Sequence, residues 1–128
     1  LAVPQPSARR CLEFGRVIGE VAARSPQRIG LVATGGLSHD PGERNHGFID
    51  SDFDQQFMSA MAGGNTERLA RYSRAELAAA GAGAFELLSW VALAGALAGR
   101  RGEAIVYEAV KPWATGIGMM TFAQAVAA

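Results

Sequence analysis

Apolar positions recur at helical spacing through the first part of the chain. Cys11, Phe14, Val17, Ile18 and Val21 follow the three-and-four rhythm of a helix face. Ser7 is placed to cap that helix, and Ser25-Pro26 to break it after about Ala23. Then the rhythm changes. Ile29 to Thr34, "IGLVAT", is a short continuous apolar run, which predicts a strand buried on both faces. A helix followed by a buried strand predicts an α/β layer architecture.

Residues 40–50, "DPGERNHGFID" together with Ser51 beyond them, read as polar loop leading into a cap at Asp50 or Ser51. The helix that follows is predicted through about Met61, with Phe53, Phe57 and Met61 on one face and Gly63-Gly64 at its end. A short helix near Thr66–Arg71 comes next. Ser73-Arg74-Ala75-Glu76 fits a capping box, so another helix begins at about Arg74 and is interrupted by Gly81 and Gly83. The segment from about Ala84 to Ala98 is apolar nearly all round, which predicts a helix buried on most faces. Its one charge is Glu86, and Gly99 stops it. "EAIVYEAV", 103–110, reads as a strand. "KPWATGIGMMTFAQ" reads as a loop and a final extended or short helical piece. No internal repeat is visible.

Composition narrows the class. A chain of 128 residues with 49% apolar and 19% charged residues is expected to form one core. The 12 basic and 12 acidic residues cancel, so there is no electrostatic footprint for nucleic acid. Cys11 is the single cysteine, which rules out an internal disulfide and a paired-cysteine metal site and points to a reducing, cytoplasmic compartment. No stretch has the pattern of a signal peptide or a membrane span. The opening "LAVPQP" lacks helix and strand signals and reads as a linker or loop. The chain is therefore expected to be a single domain or the C-terminal portion of a larger catalytic domain.

The candidate chemistry is sparse. His39 follows a predicted strand and the pair Gly35-Gly36, at the strand end where α/β sheets place ligands. Histidine titrates near neutral pH, so it can take and return a proton; the plainer reading is a loop histidine bonded to backbone. Glu86 is either a first-turn carboxylate favoured by the helix dipole, or a buried carboxylate that needs a metal ion, an Arg or a proton. His46 lies in the polar loop, where solvent alone would explain it. Two histidines and one carboxylate match the facial triad of non-haem Fe(II) oxygenases, so His39, His46 and Glu86 form one possible ligand set. Ser38-His39-Asp40 are consecutive and cannot line up as a hydrolase triad. Ser38 and Asp40 are candidates for setting the His39 tautomer. "GAGAF" and "TGIG" lack phosphate-loop spacing. Phe48, Tyr107 and Trp113 can line an aromatic pocket or belong to the core.

Four segments in order, "ATGGLSHDPG", "HGFIDSDFDQQFM", "YSRAELAAAGAGAFELLSWVALAGAL" and "VYEAVKPWATGIGMM", resemble class III extradiol ring-cleavage dioxygenases. The type is that of the protocatechuate 4,5-dioxygenase β-subunit, with the gallate and 2,3-dihydroxyphenylpropionate enzymes. The opening segment resembles the approach to the family's C-terminal half. The resemblance implies an α/β fold with a central sheet flanked by helices, Fe(II) as cofactor, and a catechol-type aromatic plus O2 as substrates. It implies that His39 is an acid/base and not a ligand, and that Glu86 is the carboxylate iron ligand. By residue type alone, Ser38, His46, Phe48 and Trp113 are candidates for the substrate pocket. The family's two ligand histidines lie in its N-terminal half, outside these 128 residues. Three situations fit: a portion of a longer protein, a chain completed by a second polypeptide, or a homologue that has lost iron. Association into a homo- or hetero-oligomer is expected. The rivals are a non-catalytic, partner-binding α/β subunit and a metal hydrolase using the same side chains.

Overall fold

The computed structural model describes residues 5–42 and 44–122. Helices and one two-stranded antiparallel sheet make up an α/β arrangement among these residues. The helices are α1 (Ala8–Arg24), α2 (Ser51–Ala62), α3 (Thr66–Ala70), α4 (Arg74–Ala79) and α5 (Leu87–Ala96). The strands are β1 (Gly102–Val110) and β2 (Thr115–Phe122), and short 3-10 turns occupy Ala82–Glu86 and Lys111–Trp113. Residues 1–4 of the opening linker or loop and the end of the last predicted piece lie outside the described residues.

Caps set the helix starts where the sequence places them. Ser7 Oγ accepts from Arg10 N, and the Asp50 carboxylate accepts from Phe53 N at 3.0 Å. Ser73 and Glu76 form the complete capping box, each side chain accepting from the other's backbone N–H. Each such cap removes an orphan donor and is worth about 0.5–2 kcal/mol.

Helix α1 buries Cys11 of the face its apolar spacing predicts, but turns most of that face outward. Ala8, Cys11, Leu12 and Gly15 are buried, whereas Phe14, Val17 and Val21 are exposed. Glycines explain the choice. A methyl on Gly15 would lie 1.8 Å from the Ala92 carbonyl oxygen, and one on Gly95 would lie 2.1 Å from that of Leu12. The bare backbones of α1 and α5 therefore touch, and the bulky stripe is turned outward. Behind this contact lies the core, built from Phe57, Met61, Leu69, Leu77, Leu87, Leu88 and Val91. Helix α5 is buried on most faces, as predicted. None of the described helices is long and apolar enough to cross a membrane.

The predicted strand at 29–34 is not a strand. Among the described residues the sheet pairs only β1 with β2, and Val32 is 85% exposed. An apolar run supplies side chains for a sheet, but a strand also needs a neighbour for its backbone. None of the described segments offers one here. The last piece, by contrast, is fully extended. Residues Gly102 to Val110 pair with Phe122 to Thr115, with one irregularity between Ala104 and Val106. The sheet lies on α2 at Gly116 and Gly118, where added methyls would strike Asp54 Oδ2 and Met58 Sδ.

Candidate functional site

The turn at 36–40 is fastened to β2 by backbone. Leu37 N donates to Gly116 O at 2.9 Å, and Gly116 N donates to Ser38 O at 3.0 Å. This short bridge, continued at His39 and Thr115, fixes where the imidazole emerges. His39 Nδ1 lies 2.8 Å from the Leu37 carbonyl oxygen. A carbonyl only accepts, so Nδ1 carries the hydrogen and Nε2 presents a lone pair. Neither Ser38 nor Asp40 sets the tautomer. Asp40 instead accepts from Ala82 N at 2.8 Å and Asn45 N at 3.2 Å, tying the turn to the segment before α5.

Glycines 81 and 83 make room for this histidine. Gly83 N donates to His39 O at 3.0 Å. A methyl at Gly83 would fall 2.1 Å from His39 Nε2, and one at Gly81 would fall 2.0 Å from His39 O. Gly81 also has φ +114°, a conformation that favours glycine. The "GAGAF" run, set aside as a phosphate loop, is a cradle for an imidazole.

Glu86 stands at the junction of the 3-10 turn and α5. Its side chain is 53% exposed, so the cost of a buried carboxylate does not arise. The reason is the helix face: Leu87, Leu88, Trp90 and Val91 turn inward, while Glu86 and Ser89 turn toward an open cleft. Gly36 N donates to Glu86 Oε2 at 2.7 Å, and the same oxygen lies 3.9 Å from His39 Nε2. The cleft measures about 640 Å³ and is lined by Thr34, Gly35, Gly83, Phe85, Glu86 and Ser89, among others.

His39 and Glu86 are thus brought together, and the other candidates are not. His46 Nδ1 accepts from Gly42 N at 3.1 Å within its own loop. Phe48 is exposed, Trp113 is 71% exposed in the turn between the strands, and neither lines the cleft. Ser38 is 0% exposed and cannot reach a ligand in the cleft; its hydroxyl and N–H both donate to Asp54. Among the described residues no three His, Cys, Asp or Glu side chains gather to hold a metal, so His39, His46 and Glu86 do not form a ligand set.

The structure adds two polar residues that the sequence reading passed over in this role. Asp54 is wholly buried on α2, where it accepts from Ser38 and from Tyr107 Oη at 2.8 Å. Burial pushes its carboxyl up from the ordinary carboxylate value, against the pull of the Ser38 and Tyr107 hydrogen bonds. Burial also pushes the Tyr107 phenol up to about 12, helped by the Asp54 carboxylate and opposed by Ser51. A signal was present: Asp54 shares the helical face of Phe57, Met58 and Met61, where a carboxylate is out of place.

The chain is similar to known proteins. A gallate dioxygenase of Pseudomonas putida is 33% identical to the chain over 76% of it, which corresponds to 29% of that enzyme. A 2,3-dihydroxyphenylpropionate/2,3-dihydroxicinnamic acid 1,2-dioxygenase of Photorhabdus laumondii is 36% identical over 57% of the chain and 22% of the relative. A protein of the same description from Paraburkholderia phymatum is 27% identical over 94% of the chain and 53% of the relative. The chain therefore spans about a quarter to a half of these relatives' lengths. Residues 1–118 match the family described as the catalytic LigB subunit of aromatic ring-opening dioxygenase. The chain belongs to that family.

Proposed function

We propose that the chain supplies the acid/base histidine and the carboxylate iron ligand of an extradiol dioxygenase that opens catechol-type rings with O2. One observation carries the reading. The Nε2 lone pair of His39 and Oε2 of Glu86 are two acceptors facing each other at 3.9 Å beside an open cleft. Such a pair is stabilised by a proton or a cation brought between or beside them.

The residues fit Fe(II) in part. Glu86 is a half-exposed carboxylate on the cleft wall, held by the Gly36 N–H, and carboxylate oxygen suits this metal. The other ligands come from a segment outside these 128 residues or from a second chain. When bound, Fe(II) supplies Lewis-acid and redox chemistry toward a catechol and O2. The protein's own part is proton handling. His39 Nε2 accepts a proton from a catechol hydroxyl and returns it to an oxygen of the opening ring. The Leu37 carbonyl stabilises the Nδ1–H throughout, so the ring holds its orientation in both protonation states. Phe85 and the flat glycine wall leave room for an aromatic ring in the cleft. Protocatechuate, gallate and 2,3-dihydroxyphenylpropionate are the substrates to compare.

The test is oxygen uptake and iron content in the complete protein. His39→Gln is expected to lower turnover about 10²–10⁴-fold while retaining iron. Glu86→Ala is expected to lose iron as well. Undiminished turnover in His39→Gln would overturn the assignment. The exposed apolar stripe of Phe14, Val17 and Val21 on α1 favours a second reading, a non-catalytic partner-binding subunit. A complete protein that takes up no iron would support that one.

A further inference from the structure

We propose that Asp54 is the positioning residue for the His39 imidazole, acting through the single peptide group between Leu37 and Ser38. The inference rests on the acid/base reading of His39 for its catalytic consequence, although the geometry stands by itself. The Ser38 N–H donates to Asp54 Oδ1 at 2.7 Å. The Leu37 carbonyl accepts from His39 Nδ1 at 2.8 Å. These two groups are opposite ends of one planar amide. A carboxylate fixing the N–H end therefore fixes the direction of the carbonyl end. A charge-assisted hydrogen bond at one end also polarises the amide and makes the other end a better acceptor.

The remaining contacts leave the plane little freedom. Asp54 Oδ2 accepts from Ser38 Oγ at 2.9 Å and from Tyr107 Oη at 2.8 Å, so the carboxylate is itself held from the turn and from β1. Ser38 Oγ accepts in turn from Asp50 N at 2.8 Å, at the start of the helix that carries Asp54. Gly116 has no side chain where one would fall 2.0 Å from Asp54 Oδ2. Four segments of the fold meet at this carboxylate, two hydrogen bonds away from a ring whose other nitrogen lies 3.9 Å from Glu86 Oε2, on the cleft wall. Asp54 is also the acceptor that the buried Ser38 N–H and the two hydroxyls need, so the His39 ring signature, and not stability, separates positioning from a purely structural role.

The experiment uses the complete iron-loaded protein with Asp54→Asn, Asp54→Leu and Tyr107→Phe. Two things are read: kcat and KM, and the 15N resonances of the His39 ring, which report which nitrogen holds the hydrogen. Asn can still accept from the Ser38 N–H but offers an NH2 where Oδ2 accepted two hydroxyls. Leu removes every acceptor. Misplacing a catalytic group by about 1 Å costs on the order of 10²-fold, so Asp54→Leu is expected to lose about that much kcat and Asp54→Asn about 10-fold. KM should stay within about twofold and iron content should not change, because no contact to the cleft is lost. The Nδ1–H signature should weaken in the same order, with Tyr107→Phe least affected. If Asp54→Leu does not fold, Asp54→Asn decides: wild-type kcat and an unaltered ring signature would overturn the proposal. If the wild-type protein opens no catechol ring, the functional reading fails, and the ring resonances alone decide. A weakened Nδ1–H signature in Asp54→Asn then still supports positioning, and an unaltered one overturns it.

Discussion

Residues 28–34 and residues 36–40 adjoin in one connection, yet they are held in opposite ways. The first segment is rich in apolar side chains, and Ile29, Leu31 and Val32 are nevertheless exposed. Its principal polar tie among the described residues is the Ser89 hydroxyl on the Thr34 carbonyl at 2.7 Å. The second segment is mostly small and polar, and Leu37, Ser38 and Asp40 are buried. Backbone groups at Gly36, Leu37, Ser38 and His39 all have partners on β2, α2, Glu86 or Gly83. Hydrophobicity thus does not decide which part of this connection is ordered by the chain itself. Complementary backbone partners do.

The sharpest way to break the comparison is to place one methyl in each segment's surroundings. Gly83→Ala forces a methyl to within 2.1 Å of His39 Nε2, so the ring or the turn must move. Overpacking of this kind costs about 1–3 kcal/mol, and the variant should show that loss in denaturant unfolding along with a displaced His39 resonance. A Gly83→Ala protein with wild-type stability and an unmoved ring would mean that the turn is looser than its hydrogen bonds imply.

A middle-sized effect separates the interior carboxylate from one on the surface. Asp54 binds its proton more readily folded than unfolded. Its contribution to stability is complete below the ordinary carboxylate value of about 4 and declines as pH rises through the raised folded value. Glu76 is the reverse, because the Ser73 backbone and hydroxyl bonds hold its carboxyl low. Its contribution is present above the ordinary value and is lost as pH falls through the lowered one. Unfolding curves taken across the acid range should therefore show the stability gap between wild type and Glu76→Gln closing as pH falls. The gap between wild type and Asp54→Asn should move in favour of wild type over the same range. Parallel slopes would contradict the assigned directions.

The smallest effect belongs to the open segment. A methyl on Gly30 meets nothing within 4 Å, and its φ lies outside the left-handed region. Gly30→Ala should leave the folded state untouched and restrict the unfolded one, raising stability by no more than about 0.4–1 kcal/mol. A clear loss would show that residues 28–34 have a neighbour in solution.

Much of the fold was legible because caps and breakers are local. Ser7, Asp50, Ser73 with Glu76, and Gly99 act through bonds or torsions within a few residues, so spacing alone locates them. The α1 face was misread because a helix chooses its partner by how closely two backbones approach. Gly15 and Gly95 carry that information without registering as apolar. The strand at 29–34 was misread because pairing is non-local. In the site, His39 and Glu86 stood out as isolated ionisable groups at conspicuous positions, and the structure brings them together. Asp54 and Tyr107 escaped that role because their partners lie 16 and 53 residues away from Asp54 in the chain. Ser38, His46, Phe48 and Trp113 were grouped by chemistry, and chemistry says nothing about which side of a loop a side chain occupies.

The close crossing of α1 and α5 has a practical corollary. Cys11 is buried on α1, one residue before Leu12 of that crossing, and burial pushes its thiol up from the ordinary value, away from the reactive thiolate. It is also the only sulfhydryl in the sequence. Within these 128 residues a maleimide or disulfide reagent has one target, and that target is shielded until α1 lifts away. The labelling rate is therefore a clock for that one opening event, readable by mass without introducing any foreign residue.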